Sequence, residues 1–268
     1  MISRKHNSLK DQFDFIANDK YLRALAINNI EMAEKIYKEW NNSENLSLKC
    51  LEIGGAGGIT KILRPNWIVT DVRPAEGIDF LASAEALPFP DESFDIIFAI
   101  DVIHHIPDKK LFFSEISRLL SKGEKADIQK VKDGDGGERE GGGIFFVREP
   151  YWGIPAQFIW RFLHPEVFSL KKLKEVKKTD DPMYGNQALA YSLIKKRKFT
   201  EEDLVPRNLE LNVIGPVNGI AFLLSGGNTF STKVNRSIIL KIDKWENNHP
   251  TWLKLFGFSI QFYYRKIN

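Results

Sequence analysis

A glycine-rich turn between an apolar run and a helix start is the feature that most constrains this chain. The run from Leu46 to Ile53 predicts a buried strand, and it stops at a turn made almost wholly of glycine, residues 54–58. Residues 60–63 can begin a helix. A strand, a glycine turn and a helix in this order build nucleotide-binding sites in open α/β sheets. Because glycine has no Cβ, the backbone there can approach a ligand closely.

Two acidic residues near this turn narrow the choice of ligand. Glu52 lies inside the strand, just before the first glycine, and Asp71 ends the next apolar run, residues 67–70. An acid about 20 residues after the glycine turn is placed to hydrogen-bond ribose hydroxyls. This position suits NAD and S-adenosylmethionine equally well.

The spacing of the glycines separates these two cofactors. The dinucleotide pattern G-x-G-x-x-G fails, because Thr60 stands where its third glycine belongs. The pattern E-x-G-x-G-x-G fits from Glu52 to Gly58, with Ala56 as one small-residue departure. Glu52 would repel a pyrophosphate but suits the cationic amino-acid end of S-adenosylmethionine. An NAD-dependent dehydrogenase is therefore the weaker alternative.

Composition excludes several classes of protein. The chain has 268 residues, enough for one α/β domain with additions, and its net charge of +3 is too small to argue for a nucleic-acid partner. Cys50 is its single cysteine, so we expect a buried small hydrophobe and no disulfide or structural zinc. The polar N-terminus predicts no signal peptide, and no apolar segment is long enough to span a membrane. The expected location is the cytoplasm.

The order of elements predicts an N-terminal helical cap, residues 1–45, and a main domain, residues 46–268. Apolar positions at steps of three and four residues predict a helix from Asp19 to Trp40. It could close the ligand mouth or simply cover the sheet edge. Residues 72–77 leave no room for a full crossover helix, and the run from Phe94 to Val102 predicts a central strand buried on both faces. Residues 111–120 predict the next helix.

The second half of the chain is less regular. Residues 121–143 are rich in glycine and charge, so we expect a disordered insertion before a strand at residues 143–148. An aromatic-rich helix is predicted at residues 156–163, in an acceptor-side region of residues 150–210. Residues 209–224 and 258–264 are predicted as the last two strands, with a helix around residues 237–245 between them. The lysine-rich stretches 171–178 and 195–198 indicate solvated faces, or contacts with an anionic lipid or phosphate-bearing partner.

Several segments together resemble class I S-adenosylmethionine-dependent methyltransferases of the small-molecule type 11 group. They are Leu51-Glu52-Ile53-Gly54, Asp71, residues 84–89 (AEALPF), residues 93–95 (SFD) and residues 104–108 (HHIPD). Residues 149–151 (EPY), 162–166 (FLHPE), 185–188 (GNQA) and 225–227 (SGG) resemble bacterial methyltransferases of polysaccharide or glycolipid synthesis. The resemblance implies one domain with a Rossmann-like, doubly wound, seven-stranded and mostly parallel sheet. Its last strand would run antiparallel, with the N-terminal helix and the insertions added.

The resemblance also implies a set of cofactor contacts. Gly54, Gly55 and Gly58 would line the methionine portion of the cofactor near Glu52, and Asp71 would hold both ribose hydroxyls. The family often has an acidic residue where this chain has Ser83, so adenine would be held more weakly there or by the backbone at Ala84. Asp101 is either a further cofactor-side candidate or a buried carboxylate that orders its loop.

The catalytic candidates follow the central strand. Methyl transfer depends on alignment of the acceptor with the methyl group, and a base assists when the acceptor is a hydroxyl. We interpret His105 as the base, His104 as its neighbour or a substrate contact, and Glu149 as a carboxylate that orients them. The alternative is that both histidines only cap a helix or pack against the cofactor. No metal is predicted.

The acceptor is the least determined part. Aromatic residues such as Tyr151, Trp152, Phe158 and Trp160 could form an acceptor wall or belong to the core, and Asn186 and Gln187 could hydrogen-bond an acceptor. We expect a hydroxyl of a saccharide or glycolipid precursor. A quinone-like or other lipid acceptor is the nearest alternative, with the aromatic helix as a membrane-facing lid and the protein at the inner membrane face. A non-catalytic binding protein of the same fold is a different class that the Ala56 and Ser83 departures keep open.

Overall fold

The computed structural model describes residues 9–42, 47–55, 58–123, 141–162, 166, 168–169, 185–196, 204–227 and 232–267. The strands are β1 (Cys50–Ile53), β2 (Ile68–Asp71), β3 (Phe80–Leu81), β4 (Ile96–Ile100), β5 (Ile144–Pro150), β6 (Leu209–Val217) and β7 (Ser259–Lys266). The α-helices are α1 (Leu9–Asn18), α2 (Lys20–Asn41), α3 (Ile59–Leu63), α4 (Lys109–Leu119), α5 (Ile154–Phe162), α6 (Ile220–Ser225), α7 (Arg236–Asn247) and α8 (Pro250–Phe256). A 3₁₀ turn, Ile103–His105, and a π-helical turn, Tyr191–Lys196, complete the described elements.

The strands form one seven-stranded sheet of order β3-β2-β1-β4-β5-β7-β6. Strands β3, β2, β1, β4 and β5 pair in parallel, and β7 pairs antiparallel with both β5 and β6. The strand order reverses beside β1 and β4, where open α/β sheets place their ligands. This arrangement confirms the predicted fold class, including the antiparallel last strand.

Alternate residues of the central strands face two separate hydrophobic layers. On one face, Leu51, Ile97 and Phe145 pack in a cluster with helix α4, and on the other, Phe98 and Phe146 pack in a cluster with helix α2. Since both faces are covered, strands β1 and β5 are buried along their whole length. The continuous apolar run predicted for the central strand reflects this double burial.

Helix α2 matches the predicted N-terminal helix and covers one face of the sheet. Asp19 caps it, because its carboxylate accepts hydrogen bonds from the backbone N–H groups of Tyr21 and Leu22. Ile30, Ala33 and Ile36 are its buried contacts with the sheet layer. Helix α1 precedes it in the predicted helical cap. The domain boundary at residues 45 and 46 stays a prediction.

The prediction of one strand over residues 209–224 is wrong in its second half. Strand β6 ends at Val217, and Asn218 takes a positive φ of 56° that turns the chain into helix α6. The buried carboxylate of Glu246 accepts hydrogen bonds from the N–H groups of Ile220 and Ala221, at 2.7 and 3.0 Å. A distant side chain therefore stabilises the helix start, and an apolar segment alone does not encode it.

Two further predictions concern segments between strands. As predicted, no crossover helix lies between β2 and β3, since residues 72–79, all described, contain only turns and bends. Of the predicted insertion, residues 121–123 and 141–143 are described, and Gly143 hydrogen-bonds to Ser121 at the start of β5. Residues 124–140 and Ala56 lie outside the described residues.

Within the described ranges, no helix is both long enough and apolar enough to cross a bilayer.

Candidate active site

The glycine turn is fixed against the neighbouring strand. The N–H groups of Gly54 and Gly55 both donate to the carbonyl oxygen of Thr70 in β2, at 2.8 and 3.0 Å. Gly54 has a φ of 71°, and a Cβ there would lie 2.5 Å from Val102. A Cβ on Gly55 would lie 2.2 Å from Cγ1 of Val69 and 2.8 Å from Oε2 of Glu52. The turn therefore requires glycine for reasons of space at both positions.

Glu52 is a buried carboxylate with one satisfied oxygen. Its Oε1 accepts a hydrogen bond from the Thr60 hydroxyl at 3.0 Å. Within the part of the chain that the structure describes, no donor reaches Oε2. Burial, opposed by the Thr60 hydrogen bond and assisted by the charge of Asp71, raises the pKa of Glu52 to about 7. A buried acceptor without a donor beside a nucleotide-type turn is suited to a cationic ligand group.

Asp71 stands at the carboxyl end of β2, as predicted. It is buried, and its Oδ1 accepts a hydrogen bond from the backbone N–H of Arg73 at 2.8 Å. Val72 and Leu81 beside it are exposed apolar side chains, at 54% and 61%. They offer an apolar surface next to the carboxylate, which suits a ring such as adenine. Sequence reasoning missed both, although each follows directly from its strand.

Ser83 and Ala84 begin the next turn and differ in their surroundings. The Ser83 side chain is exposed, and its hydroxyl accepts a hydrogen bond from the N–H of Glu85 at 3.3 Å. Ala84 is buried in the same layer as helix α4. The Ser83 hydroxyl therefore serves its own turn, and a contact of either residue with adenine stays a prediction.

Asp101 follows the central strand β4 in a strained conformation. Its φ is 56°, which is unusual for a residue with a side chain, and Arg148 of β5 donates a short hydrogen bond to Oδ2. Arg148 is itself buried. Strain of this kind at a strand end concentrates at functional sites. The carboxylate is paired with Arg148 and partly exposed, and both predicted roles of Asp101, at the cofactor or in ordering the loop, stay predictions.

His104 is fully buried between two carboxylates. Its Nδ1 lies 2.6 Å from Oε2 of Glu149, and its Nε2 lies 3.2 Å from Oε2 of Glu166. Burial opposes protonation, but Glu149 and Glu166 outweigh it and raise the pKa of His104 to about 10. Glu149 also accepts hydrogen bonds from the N–H groups of Val102 and Ile103, which fixes this loop. The two carboxylates therefore favour the protonated form of His104, which makes it less suited than His105 to accept a proton.

His105 is the more accessible of the two histidines. Its ring centroid lies 4.0 Å from that of His104, and its side chain is 15% exposed. The Nε2 atom lies 3.9 Å from Oε2 of Glu166. Donor atoms of His104, His105 and Glu166 lie within 4.8 Å of one another, so this group could also hold a metal ion. A metal at this place would compete with the proton that Glu149 and Glu166 favour on His104.

Gln187 and Asn186 extend the same cluster. The Gln187 amide nitrogen lies 2.6 Å from Oε2 of Glu166 and 3.2 Å from Nε2 of His104. The N–H of Asn186 donates to the carbonyl oxygen of His104 at 3.1 Å. These contacts join two of the methyltransferase-like motifs, residues 104–108 and 185–188, in the folded chain. Sequence reasoning missed Glu166, which it quoted only as part of a motif.

The predicted aromatic acceptor wall does not form as one surface. Tyr151 is buried and donates its hydroxyl hydrogen bond to the Lys254 carbonyl, and Trp160 donates its indole N–H to the Tyr151 carbonyl. Trp152 packs edge to face against Tyr191 at a centroid distance of 4.9 Å. Phe158 points to solvent, with 58% of its surface exposed.

Comparison with known proteins identifies the class of domain. Residues 62–126 match the family model described as a methyltransferase domain. This match confirms the predicted resemblance to the type 11 methyltransferases, which implies S-adenosylmethionine as the cofactor. The matched segment contains β2, β3, β4, the two histidines and α4.

Curated relatives share part of this chain. It is 34% identical over 91 residues to the probable phthiotriol/phenolphthiotriol dimycocerosates methyltransferase 2 of Mycobacterium ulcerans, covering 29% of this chain and 35% of that protein. It is 40% identical over 42 residues to the 27-O-demethylrifamycin SV methyltransferase of Amycolatopsis mediterranei, covering 16% and 15%. The chain thus spans about a third or less of the length of the curated relatives that it matches.

Solved structures of similar shape include a SAM dependent methyltransferase from Archaeoglobus fulgidus. It is 13% identical, covers 94% of this chain and 99% of its own, and has a TM-score of 0.49. A possible histamine N-methyltransferase from Thermotoga maritima is 16% identical, covers 96% and 94%, and has a TM-score of 0.46.

Proposed function

We propose that this chain is an S-adenosylmethionine-dependent methyltransferase that acts on a hydroxyl of a saccharide or lipid-linked small molecule. The observation that carries the proposal is Glu52, whose buried Oε2 lies directly beneath the glycine turn and receives no hydrogen bond from any residue that the structure describes. The methyltransferase-domain match at residues 62–126 supports it independently.

The residues around the glycine turn fit this cofactor. Glu52 would hold its ammonium group, Asp71 would accept from the ribose hydroxyls, and Val72 with Leu81 would flank the adenine. When bound, the cofactor supplies a methyl group on a sulfonium. Gly54, Gly55 and Gly58 keep side chains away from this place, and no dinucleotide pyrophosphate fits beside the Glu52 carboxylate.

His105 would act as the base that takes the acceptor proton. His104 is less suited to this step, because Glu149 and Glu166 favour its protonated form. His104 instead fixes the position of Glu166, whose carboxylate lies near both rings. The negative charge of Glu166, 3.9 Å from Nε2 of His105, would offset the repulsion between the His104 ring and the imidazolium that forms on His105. The exposed fraction of His105 lets this proton leave to solvent afterwards.

The acceptor would enter beside His105 and Gln187, between the ends of β4 and β5. The name of the Amycolatopsis relative places its methyl group on an oxygen, which favours a hydroxyl acceptor here. The names of the Mycobacterium relatives favour a lipid-linked acceptor. A peripheral position at the inner membrane face belongs to this proposal, because a lipid-linked acceptor resides there.

A non-catalytic binding protein of the same fold is the second candidate. The paired state of Asp101 and the exposed Ser83 favour it, since neither side chain reaches out toward a cofactor. Turnover separates the two candidates.

Calorimetry with S-adenosylmethionine, S-adenosylhomocysteine and NAD tests the cofactor. We expect S-adenosylmethionine and S-adenosylhomocysteine to bind and NAD not to bind. If neither sulfur-containing ligand binds, the proposal is overturned. Transfer of labelled methyl groups to sugar-nucleotide and lipid extracts then tests the acceptor. The His105→Ala variant should lose turnover by roughly 10²–10⁴-fold while it keeps cofactor affinity. His249→Ala, at an exposed histidine far along the chain, is the matched control and should keep full turnover.

A further inference from the structure

Helix α5 shows an apolar stripe to solvent. Ile154, Phe158 and Phe162 recur at four-residue steps and are 62%, 58% and 71% exposed. The opposite side of the helix packs inward, because Ala156 is fully buried and Trp160 hydrogen-bonds the Tyr151 carbonyl. A surface helix of a globular protein normally turns its apolar side chains toward the core and its polar side chains toward solvent. The stripe therefore indicates a contact with something apolar.

Exposed apolar side chains also lie on α8, which packs against α5, and on α7, which packs against α8. Helix α8 packs against α5, and the Leu255 carbonyl oxygen would lie 3.1 Å from a Cβ on Gly153, the residue before α5. Leu255 and Trp245 are 49% and 48% exposed, and Trp245 packs on Trp252 at a ring distance of 5.5 Å. We call the five side chains Ile154, Phe158, Phe162, Trp245 and Leu255 the apolar patch.

The exposed charges on the three helices that carry the apolar patch have one sign. Helices α5 and α8 contain no acidic residue, and the two acids of α7, Asp243 and Glu246, are buried. The exposed charged residues on these three helices are cations, Arg161, Lys241, Lys244 and Lys254. Aromatic and aliphatic side chains surrounded by lysine and arginine match an anionic bilayer surface, where apolar insertion and charge attraction act together.

The apolar patch also lies on the acceptor side of the site. Helix α5 begins four residues after Pro150, the end of β5, and Glu149 is the adjoining residue of that strand. We propose that the apolar patch docks this protein on an anionic membrane, with the site mouth beside the bilayer. The inference deepens the proposed function, because it assigns a surface to the membrane contact and a route to a lipid-linked acceptor.

Flotation of the full chain with lipid vesicles tests this proposal. We expect it to float with vesicles that contain phosphatidylglycerol and to float much less with pure phosphatidylcholine. The Phe158→Ser/Phe162→Ser variant should lower the partition coefficient on anionic vesicles at least about tenfold. Lys254→Glu should weaken binding to anionic vesicles only, and this loss should shrink at high salt.

Helix α4 supplies matched controls. Leu111 is an exposed apolar residue there, at 53%, and Lys110 beside it is exposed. Leu111→Ser and Lys110→Glu should bind vesicles like the unaltered chain. Equal loss in these controls, or no flotation of the unaltered chain, would overturn the docking surface. The docking surface would also be overturned if the unaltered chain bound no vesicles but self-associated in solution, and if the Phe158→Ser/Phe162→Ser variant no longer self-associated.

Cofactor calorimetry on the same samples separates this proposal from the enzyme assignment. S-adenosylmethionine binding without vesicle binding overturns the membrane surface alone. Vesicle binding without cofactor binding supports the surface and overturns the proposed function.

Discussion

At the scale of residues, two buried ionisable groups have shifted pKa values with opposite consequences. Burial raises the pKa of Glu52 and so favours its neutral form. Two carboxylates outweigh burial at His104, raise its pKa and so favour its charged form. Thr60 satisfies one oxygen of Glu52, and no described residue donates to the other, whereas His104 has two carboxylate partners in the protein. Under the proposed function, this contrast assigns Glu52 to ligand binding and His104 to positioning.

Glu52→Gln should stabilise the protein and weaken cofactor binding. The pKa of Glu52 is about 7 against an ordinary 4.5, so the folded state binds more protons between these values and loses stability as the pH rises through them. Removing the charge should therefore raise the free energy of unfolding at pH 8 by about 3 kcal/mol at most. Urea unfolding at pH 5 and pH 8 measures this. Affinity for S-adenosylmethionine should fall in the variant, and unchanged affinity would contradict the assigned ammonium contact.

Glu149→Gln should destabilise the protein strongly. Glu149 accepts hydrogen bonds from two backbone N–H groups and pairs with His104, and breaking a buried pair costs about 3–5 kcal/mol. The raised pKa of His104 contributes stability that is complete below pH 6.5 and lost as the pH rises toward 10. Urea unfolding from pH 6 to pH 10 should show this decline, and a shallower one in the variant. Glu39→Gln, at an exposed surface pair, should leave the profile unchanged.

At the scale of elements, the glycine turn depends on the space between two strands. A Cβ on Gly55 would overlap Cγ1 of Val69, so Gly55→Ala should cost about 1–3 kcal/mol through overpacking. Val69→Ala removes the overlapping methyl group. The double variant should therefore be less destabilised than the sum of the two single changes, by about 1 kcal/mol, in a double-mutant cycle of urea unfolding. Simple additivity would show that the turn moves away from β2.

Helix α6 depends on Glu246 for its first turn. Glu246→Ala would leave the buried N–H of Ala221, the part-buried N–H of Ile220 and the Trp252 indole without their acceptor, at a cost of about 2–3 kcal/mol. Hydrogen exchange at Ile220 and Ala221 should accelerate with the loss of stability. Glu246→Gln keeps one acceptor oxygen and should cost less. Equal stability of the Ala variant and the unaltered chain would show that α6 forms without this cap.

The order of apolar and polar residues predicted those strands and helices whose formation depends on neighbouring residues in the sequence. Apolar runs predicted the central strands, and the three- and four-residue period predicted helix α2, because each residue there faces a hydrophobic layer. Helix α6 escaped prediction because its start is stabilised by a residue some 25 positions away. Glu166 escaped for the same reason, since only the fold brings it to His104. Sequence motifs also named His104, His105 and Gln187, but not the carboxylate of Glu166 that connects them.

At the scale of the whole molecule, the order of the sheet separates the site into two halves. The carboxyl ends of β1 and β2 carry Glu52 and Asp71, and those of β4 and β5 carry the His104 loop and Glu149. Because β1 and β4 are neighbours, a methyl group held by the first half can meet an acceptor held by the second. A substitution in the first half should therefore change cofactor binding, and a substitution in the second half should leave cofactor binding unchanged.

Thermal unfolding with and without cofactor tests this separation. S-adenosylmethionine at about 100 times its dissociation constant should stabilise the fold by about 2.7 kcal/mol, a rise of roughly 5–8 °C in Tm. Asp71→Asn should reduce this rise, because it weakens the ribose contact. His105→Ala should keep the full rise, because His105 belongs to the acceptor half. An equal rise with NAD would contradict the cofactor assignment. Loss of the rise in His105→Ala would place that histidine in the cofactor half.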